Sequence, residues 1–268
     1  MTTMTLDDAA LESALRDLRV AAPATVGFGA LVDAGLADRY APIETPLGQA
    51  FVAWNGRGVS WIGRAEDGPA FEARFRADVG REIAEADEVP GLLGRAIASR
   101  IAGNRRVRIK LDLRGHTAFE VAVWMKALEI PRGEVRPYGW IAAEIGKPKA
   151  VRAVGTALAH NPVPLVVPCH RVVRSDGMIG QYSMGGPEAK RRVLSSEGLD
   201  TRWLEAEAAA GHRFTGSDTT HIVCNPTCRD ARRVAAQHRV TFPSLAAAAT
   251  AGYRPCLHCR PVSLAGAA

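Results

Sequence analysis

The chain has 268 residues, 47% hydrophobic and 23% charged, which is enough for one large or two small domains with cores of their own. No apolar run reaches the roughly 18–20 residues of a membrane helix, so no membrane partner is expected. The net charge of +6 is uneven: residues 1–42 hold six acids against three arginines, residues 131–160 five bases against two acids, and residues 201–268 eight arginines against four acids.

The two basic segments are where a polyanion would bind, although charge of this size more often marks a merely solvated face. The start, Met1–Asp8, is acidic and unlike a secretory signal, so a cytoplasmic protein is expected. Five cysteines, four of them in two close pairs, read in a reducing compartment as a metal site plus one free thiol.

In chain order, apolar residues at helical spacing from Leu6 to Leu18 predict an N-terminal helix over residues 6–19. Residues 40–64 are rich in Gly, Val, Trp and Phe, with turn signals at Asn55-Gly56 and Gly58, and predict a hairpin or short meander. Phe71–Glu85 and Gly91–Ala102 read as amphipathic helices, and Val107–Leu113 alternates like a strand. From Thr117 the pattern is helical to Pro131. Pro137–Ile145 and Pro148–His160 are short helices split by Gly146-Lys147-Pro148, a plausible helix-turn-helix. Gly186–Glu197 is a further helix, and the Ala- and Glu-rich residues 201–212 read as a helical linker at a domain boundary.

Cys169 is the one cysteine outside the last quarter of the chain. It lies in Pro168-Cys169-His170-Arg171-Val172-Val173, behind the apolar run Val163–Val167, which reads as a short buried strand, and ahead of the turn Ser175-Asp176-Gly177. A thiol beside an imidazole is what a cysteine nucleophile needs, because the thiolate reacts and a base or positive charge makes it accessible. A lone cysteine is otherwise most often a small buried apolar residue.

The string resembles the active-site signature of the O6-alkylguanine-DNA alkyltransferases. The likeness extends through Gly133-Glu134-Val135-Arg136-Pro137-Tyr138, Lys149–Gly155, Asn161-Pro162-Val163-Pro164, Gly180-Gln181-Tyr182-Ser183 and Glu197-Gly198. It covers about Asp112–Gly198. A weaker likeness covers Tyr40–Arg114, where Thr45-Pro46-Leu47-Gly48 is similar to the start of the family's N-terminal sheet domain.

The resemblance implies roles. Cys169 is the nucleophile, His170 its base through a bridging water, and Glu197 the group that holds the imidazole tautomer. Tyr138 supplies a proton to the departing guanine and crowds the 3′ phosphate. Arg152 enters the base stack where the target leaves, and Lys149 lies beside it on the DNA side. Asn161 ties the turn before the nucleophile, a positioning role. Tyr182 and Ser183 wall the guanine pocket, with the Ser183 amide facing O6. Two departures stand out: Met184 replaces the family's small residue and would narrow the pocket, and the stretch to Glu197 is one residue longer than in some members.

Near the C-terminus stand Cys224-x3-Cys228 and, 27 residues on, Cys256-x2-Cys259. Four thiols in two close pairs point to tetrahedral zinc, and a segment of about 55 residues is small enough to need such a staple. Arg254-Pro255-Cys256, Thr241-Phe242-x-Ser244-x3-Ala248 and Gly252-Tyr253 resemble the metal-binding domain of the Ada adaptive-response proteins. That resemblance implies that Cys224 is a possible second methyl acceptor, taking methyl from a DNA methylphosphotriester. In Ada the domain precedes the alkyltransferase, whereas here it follows, and no counterpart of Ada's regulator domain is visible. A purely structural zinc module stays open.

Together these readings predict an α+β protein. Residues 1–39 are a helical extension, 40–115 a small antiparallel sheet domain with helices, RNase H-like, and 116–200 the active-site domain with a winged helix-turn-helix. Residues 201–212 are a linker and 213–268 the zinc domain. The expected function is irreversible, single-turnover transfer of an alkyl group from O6-alkylguanine in double-stranded DNA to Cys169, by a monomer with zinc and no organic cofactor. The alternatives are an alkylation-damage sensor or a zinc-dependent DNA-binding regulator without transfer. Known sensors of the first kind lack the cysteine.

Overall fold

A computed structural model describes residues 24–263; the helix expected over residues 6–19 lies outside them. Helix α1 (Ala24–Ala34) leads into an antiparallel meander of β1 (Ala37–Thr45), β2 (Gly48–Asn55) and β3 (Gly58–Gly63). The Asn55–Gly58 turn closes as the side-chain oxygen of Asn55 accepts from the Arg57 amide at 2.8 Å. Helix α2 (Gly68–Val79) is capped by Asp67, whose carboxylate accepts from the Ala70 amide, and it stops at Gly80 with φ +72°.

The helix expected over Phe71–Glu85 therefore ends early. Residues Glu82–Glu85 form β4, parallel to β1, and the sheet order is β3-β2-β1-β4. Gly80 takes the left-handed turn that ends the helix, and Ile83 joins Tyr40, Phe71 and Phe75 in a small apolar cluster. Helix α3 (Gly91–Ile101) follows. The strand expected over Val107–Leu113 is reduced to one bridge between Leu111 and Val59. At its end Asp112 turns inward to a polar cluster instead of extending the ladder.

That cluster joins the sheet to the rest of the chain. Asn55 Nδ2 donates to Asp38 Oδ1 and to Asp112 Oδ2, each at 2.9 Å. Arg81 Nε donates to Asp38 at 2.7 Å and Arg114 Nε to Asp112 at 2.7 Å. Burial alone would raise the Asp112 carboxyl, but hydrogen bonds from Arg114 and Asn55 and the charges of Arg81 and Arg114 bring it down to about 2.

Helix α4 (Ala118–Ala127) opens with a capping box in which Thr117 and Glu120 satisfy each other's backbone amides. Helices α5 (Tyr138–Glu144) and α6 (Val151–Ala159) form the helix-turn-helix, fastened to α4 by the Trp124 indole N–H donating to the Ala157 carbonyl at 2.7 Å. A two-residue parallel ladder pairs β5 (Arg136–Pro137) with β6 (Val172–Val173). One core runs through both halves: Val52, Trp54, Ile62 and Ile97 pack with Val123, Trp124, Ile141 and Val167.

Helix α7 (Gly186–Ser196) precedes α8 (Thr201–Ala209). Expected as a linker, α8 is packed instead. Leu204 is buried with Val135, Val173 and Leu194, and Glu205 pairs with Arg191 at 2.9 Å. Beyond it lies a second sheet in the order β10-β8-β7-β9, made of β7 (Phe214–Ser217), β8 (Ile222–Cys224), β9 (Arg239–Phe242) and β10 (Arg254–Pro255). Between its strands come α9 (Arg229–Arg232) and α10 (Leu245–Thr250), the latter capped by Ser244. No helix among the described residues is long and apolar enough to cross a membrane.

Because the Asp112 pKa is depressed in the folded state, its contribution is complete above about pH 4 and is lost as pH falls toward 2. Asp112→Asn should lower stability by about 2 kcal/mol at neutral pH and flatten the acid limb of the stability curve, read by urea denaturation at stepped pH.

Candidate active site and metal centre

The turn after α6 is built around one amide. Asn161 Oδ1 accepts from the Val163 N–H at 3.1 Å, while Nδ2 donates to the Val167 carbonyl at 3.0 Å and to Cys169 Sγ at 3.1 Å. Asn161 therefore touches the Cys169 sulfur as well as tying the turn. Residues Val163–Val167 do not form the expected strand and show only a Pro164–Val167 bridge. Pro162, Pro164 and Pro168 remove the N–H donors that a ladder would use. The buried Leu165 sits at φ +71°, a left-handed conformation costly for a γ-branched residue. Cys169 opens a single 3₁₀ turn, Cys169–Arg171, that runs into β6.

Cys169 and His170 are both buried. Burial pushes the Cys169 thiol up, and the Asn161 amide, the Lys190 charge and nearby backbone amides pull the other way. Burial also pushes the His170 imidazole down, opposed by Glu197. His170 Nε2 lies 2.9 Å from Glu197 Oε1, and Nδ1 has no protein hydrogen-bond partner. With Nε2 donating to the carboxylate, Nδ1 carries the free lone pair.

Glu197 is also held by Arg171, whose Nε donates to both carboxylate oxygens at 3.1 and 3.0 Å and whose Nη2 donates at 2.8 Å, and by the Gly133 N–H at 3.1 Å. Burial would raise the Glu197 carboxyl, but its bonds to His170 and Arg171 carry it down to about 2.

Lys190 completes the cluster. It is 1% exposed and donates to the carbonyls of Val172 and Gln181. Burial lowers its pKa to about 8, partly offset by the charge of Cys169. Sequence reasoning missed both Lys190 and Arg171. The signal for Lys190 was present, because it shares a helix stripe with Val193, Leu194 and Glu197, where a surface lysine does not belong. Arg171 stood inside the quoted string but was assigned nothing.

Tyr138 is half-buried at the head of α5, and its hydroxyl is pushed up by burial and then by the charge of Cys169. The Tyr182 ring lies 6.0 Å from that of His170, and its hydroxyl reaches the sulfur of Met184 at 3.5 Å. Ser183 is exposed and Met184 buried in the core. Met184 thus packs behind Tyr182. A cavity of 830 Å³ lies between the sheet and the helices, with Trp61, Arg81, His116, Asn161, Ser183 and Met184 among its walls; Cys169, Tyr138 and Lys190 are not. Lys149 and Arg152 stand apart from the thiol cluster, exposed in the turn before α6 and in its first turn.

The second cluster is Cys224 at the end of β8, Cys228 just before α9, and Cys256 and Cys259 after β10. All four are buried, with their sulfurs within 4.8 Å of one another. The Cys228 thiol is pushed down, chiefly by hydrogen bonds from the Cys224 and Cys259 thiols and then by the Asp230 and Ala231 backbone amides. The Asn225 N–H donates to Cys259 Sγ at 3.3 Å. Four soft donors at this spacing, shielded from water and supported by backbone amides, fit a tetrahedral zinc(II) site. Cys224 and Cys256 open onto a 500 Å³ cavity walled also by Arg233, His238 and Arg254. Cys228 and Cys259 do not line it.

A family model described as "6-O-methylguanine DNA methyltransferase, DNA binding domain" matches residues 118–199, and one described as "Metal binding domain of Ada" matches residues 203–262. A methylated-DNA–protein-cysteine methyltransferase of Methanosarcina acetivorans is 34% identical over 160 residues, 59% of this chain and 97% of that protein. This chain belongs to the methylated-DNA–protein-cysteine methyltransferases. It is also 38% identical over 156 residues to the Escherichia coli protein named "Bifunctional transcriptional activator/DNA repair enzyme Ada", covering 56% of this chain and 43% of that one. With a Mycobacterium bovis methyltransferase of the same family it is 51% identical over 89 residues, covering 33% of this chain and 53% of that one. The chain thus spans about half the length of these last two relatives.

If Lys190 helps ionise the thiol, Lys190→Met should move the pH midpoint of Cys169 alkylation by iodoacetamide upward by about one unit. Site-resolved mass spectrometry across pH measures it.

Proposed function

We propose that this protein repairs O6-alkylguanine in double-stranded DNA by moving the alkyl group irreversibly to Cys169. The reading rests on one observation above all: the Cys169 sulfur is held by the Asn161 amide, and the imidazole of the adjoining residue, His170, is fixed through Nε2 by a buried carboxylate.

Base chemistry of this kind needs the guanine out of the stack, at an unstacking cost of a few kcal/mol. Arg152, long, cationic and exposed on the recognition helix α6, fills the gap, while Lys149 contacts the backbone. Tyr138 crowds the target's 3′ phosphate, and the pocket wall is Tyr182 with Ser183, whose amide meets O6. His170 Nδ1 takes the thiol proton through a water. The sulfur then attacks the alkyl carbon, a C–S bond forms as the C–O6 bond breaks, and its electron pair leaves with guanine. Tyr138 gives the departing base its proton and is re-protonated from His170, so the thiol proton ends on guanine. The thioether cannot ionise, which makes the reaction single-turnover.

Residues 37–115 supply the sheet that backs this site, 116–200 the site itself, and from 213 the metal module. The protein would work in the cytoplasm as a monomer. Zinc bound by Cys224, Cys228, Cys256 and Cys259 would keep their thiolates ionised and nucleophilic at neutral pH. A second activity is supported by the open side of that cluster. Cys224 reaches a cavity whose Arg233, Arg254 and His238 suit a phosphate, so it can accept a methyl group from a DNA methylphosphotriester.

Incubation with O6-methylguanine DNA should add one methylene's mass to the Cys169 peptide. Cys169→Ala should abolish that transfer and leave DNA binding intact; an unmodified Cys169 peptide, or loss of binding in the variant, would contradict the assignment. Arg152→Ala should slow transfer from duplex more than from single-stranded substrate, where no stacked base has to be replaced. Comparing the two rate constants checks it.

A further inference from the structure

The metal module is docked on the active-site domain by the loops that carry its ligands. Thr227, which precedes Cys228, is fully buried; its Oγ1 accepts from the Val135 N–H at 2.9 Å and donates to the Val135 carbonyl at 3.3 Å. Arg229, which follows Cys228, donates its backbone N–H to Glu134 Oε1 at 3.2 Å. The other oxygen of the buried Glu134 accepts from Arg136. Arg260, which follows Cys259, pairs with Glu144 at 2.7 Å and Glu129 at 3.2 Å, and lies 5.7 Å from the Trp140 ring.

All three grips fall on residues 129–144. The other side of the same segment holds the reactive cluster. Gly133 donates to Glu197, and the Ile130 carbonyl accepts from Arg171 Nη1 at 2.7 Å. Gly133 sits at φ +72°, and a side chain there would press on the Glu197 carbonyl at 3.2 Å, so this close approach is part of the fold. Between a zinc ligand and the nucleophile's base there is thus one short path: Cys228, Thr227, Val135, Gly133, Glu197, His170.

We propose that the four-cysteine module is a clamp on the alkyl-transfer site, with Thr227 as a positioning residue that fixes the 130–135 segment and, through the Gly133 amide, the Glu197–His170 pair. Metal binding orders the two ligand loops, and those loops form the docking face. The loops bearing Cys228 and Cys259 do this work, while Cys224 and Cys256 line the 500 Å³ cavity. The reaction the clamp serves is the one proposed above; its mechanical part does not depend on that reading.

The test uses the full chain. Hydrogen exchange is followed in peptides covering 129–136 and 195–199, alongside the rate at which Cys169 reacts with iodoacetamide and with O6-methylguanine DNA. Thr227→Val, with its zinc content still one per chain, should speed exchange at 130–135 and slow methyl transfer roughly tenfold, the scale of one lost buried hydrogen bond. Thr227→Ser, which keeps the hydroxyl, should restore both. Stripping zinc from the unaltered protein with a chelator should reproduce the exchange change, and it carries the test if Thr227→Val fails to hold metal.

Ser244→Ala removes a helix cap inside the module, away from the docking face, and should leave the 130–135 segment and Cys169 unchanged. Unaltered exchange at 130–135 after zinc removal overturns the clamp, as does an equal effect of Ser244→Ala. Exchange needs no DNA, so a protein that never methylates Cys169 would refute the repair reading and still report on the clamp.

Discussion

A single buried carboxylate organises the reactive half of this protein. Glu197, 8% exposed, sits where an unpaired charge would be heavily penalised. It is made tolerable by the Arg171 guanidinium, the His170 imidazole and the Gly133 amide converging on two oxygens. Those partners come from two places in the chain, the loop before β5 and the 3₁₀ turn at Cys169, and meet the carboxylate at the end of α7. Satisfying one charge therefore brings together the loop before β5, the turn that carries Cys169 and His170, and the end of α7. It also sets the imidazole tautomer, because the nitrogen facing Glu197 must carry the proton.

Shelter has a cost for the Cys169 thiol. Burial raises the Cys169 thiol, so the thiolate has to be recovered by local dipoles and charge. The Asn161 amide and the buried Lys190 ammonium do this from opposite sides in sequence. Lys190 is itself lowered to about 8 by the same burial, so its charge is held only weakly above neutral pH. The left-handed Leu165 and the three prolines around it show how tightly the loop has to fold to present the sulfur. A loop this strained persists because Val163, Leu165 and Val167 are buried in a core shared by the sheet and the helices.

The C-terminal module extends the same logic. Its apolar core is small, with Phe214, Val223, Phe242 and Ala248 at its centre, and a four-sulfur site beside it supplies what hydrophobic burial alone does not. Its ligand loops are also its docking loops. A charge-rich face, with Arg260 against Glu129 and Glu144, meets the first helix of the helix-turn-helix. The docking contacts and the amides that hold Glu197 and Arg171 therefore meet on one segment, residues 129–144.

Much of this was legible in the one-dimensional chain. The Pro-Cys-His-Arg string, the Asn-Pro turn and the paired cysteines are local patterns whose side-chain chemistry narrows what they can do, whereas the distant Glu197 was legible only through the family resemblance. Helix ends were legible where a cap marked them, as at Thr117, and misread where a short strand followed, as at Glu82–Glu85, because parallel pairing to β1 is invisible locally. Val163–Val167 was read as a strand from its apolar run, yet its prolines and the Asn161 amide fold it into a loop. The partners of Lys190 and Arg171, the inward turn of Asp112, the packing of α8 and the grip of Thr227 on Val135 were decided only by tertiary structure, although the helix stripe of Lys190 already marked it as buried. Each depends on the cost of burying a polar group, and that cost is set by neighbours far away in sequence.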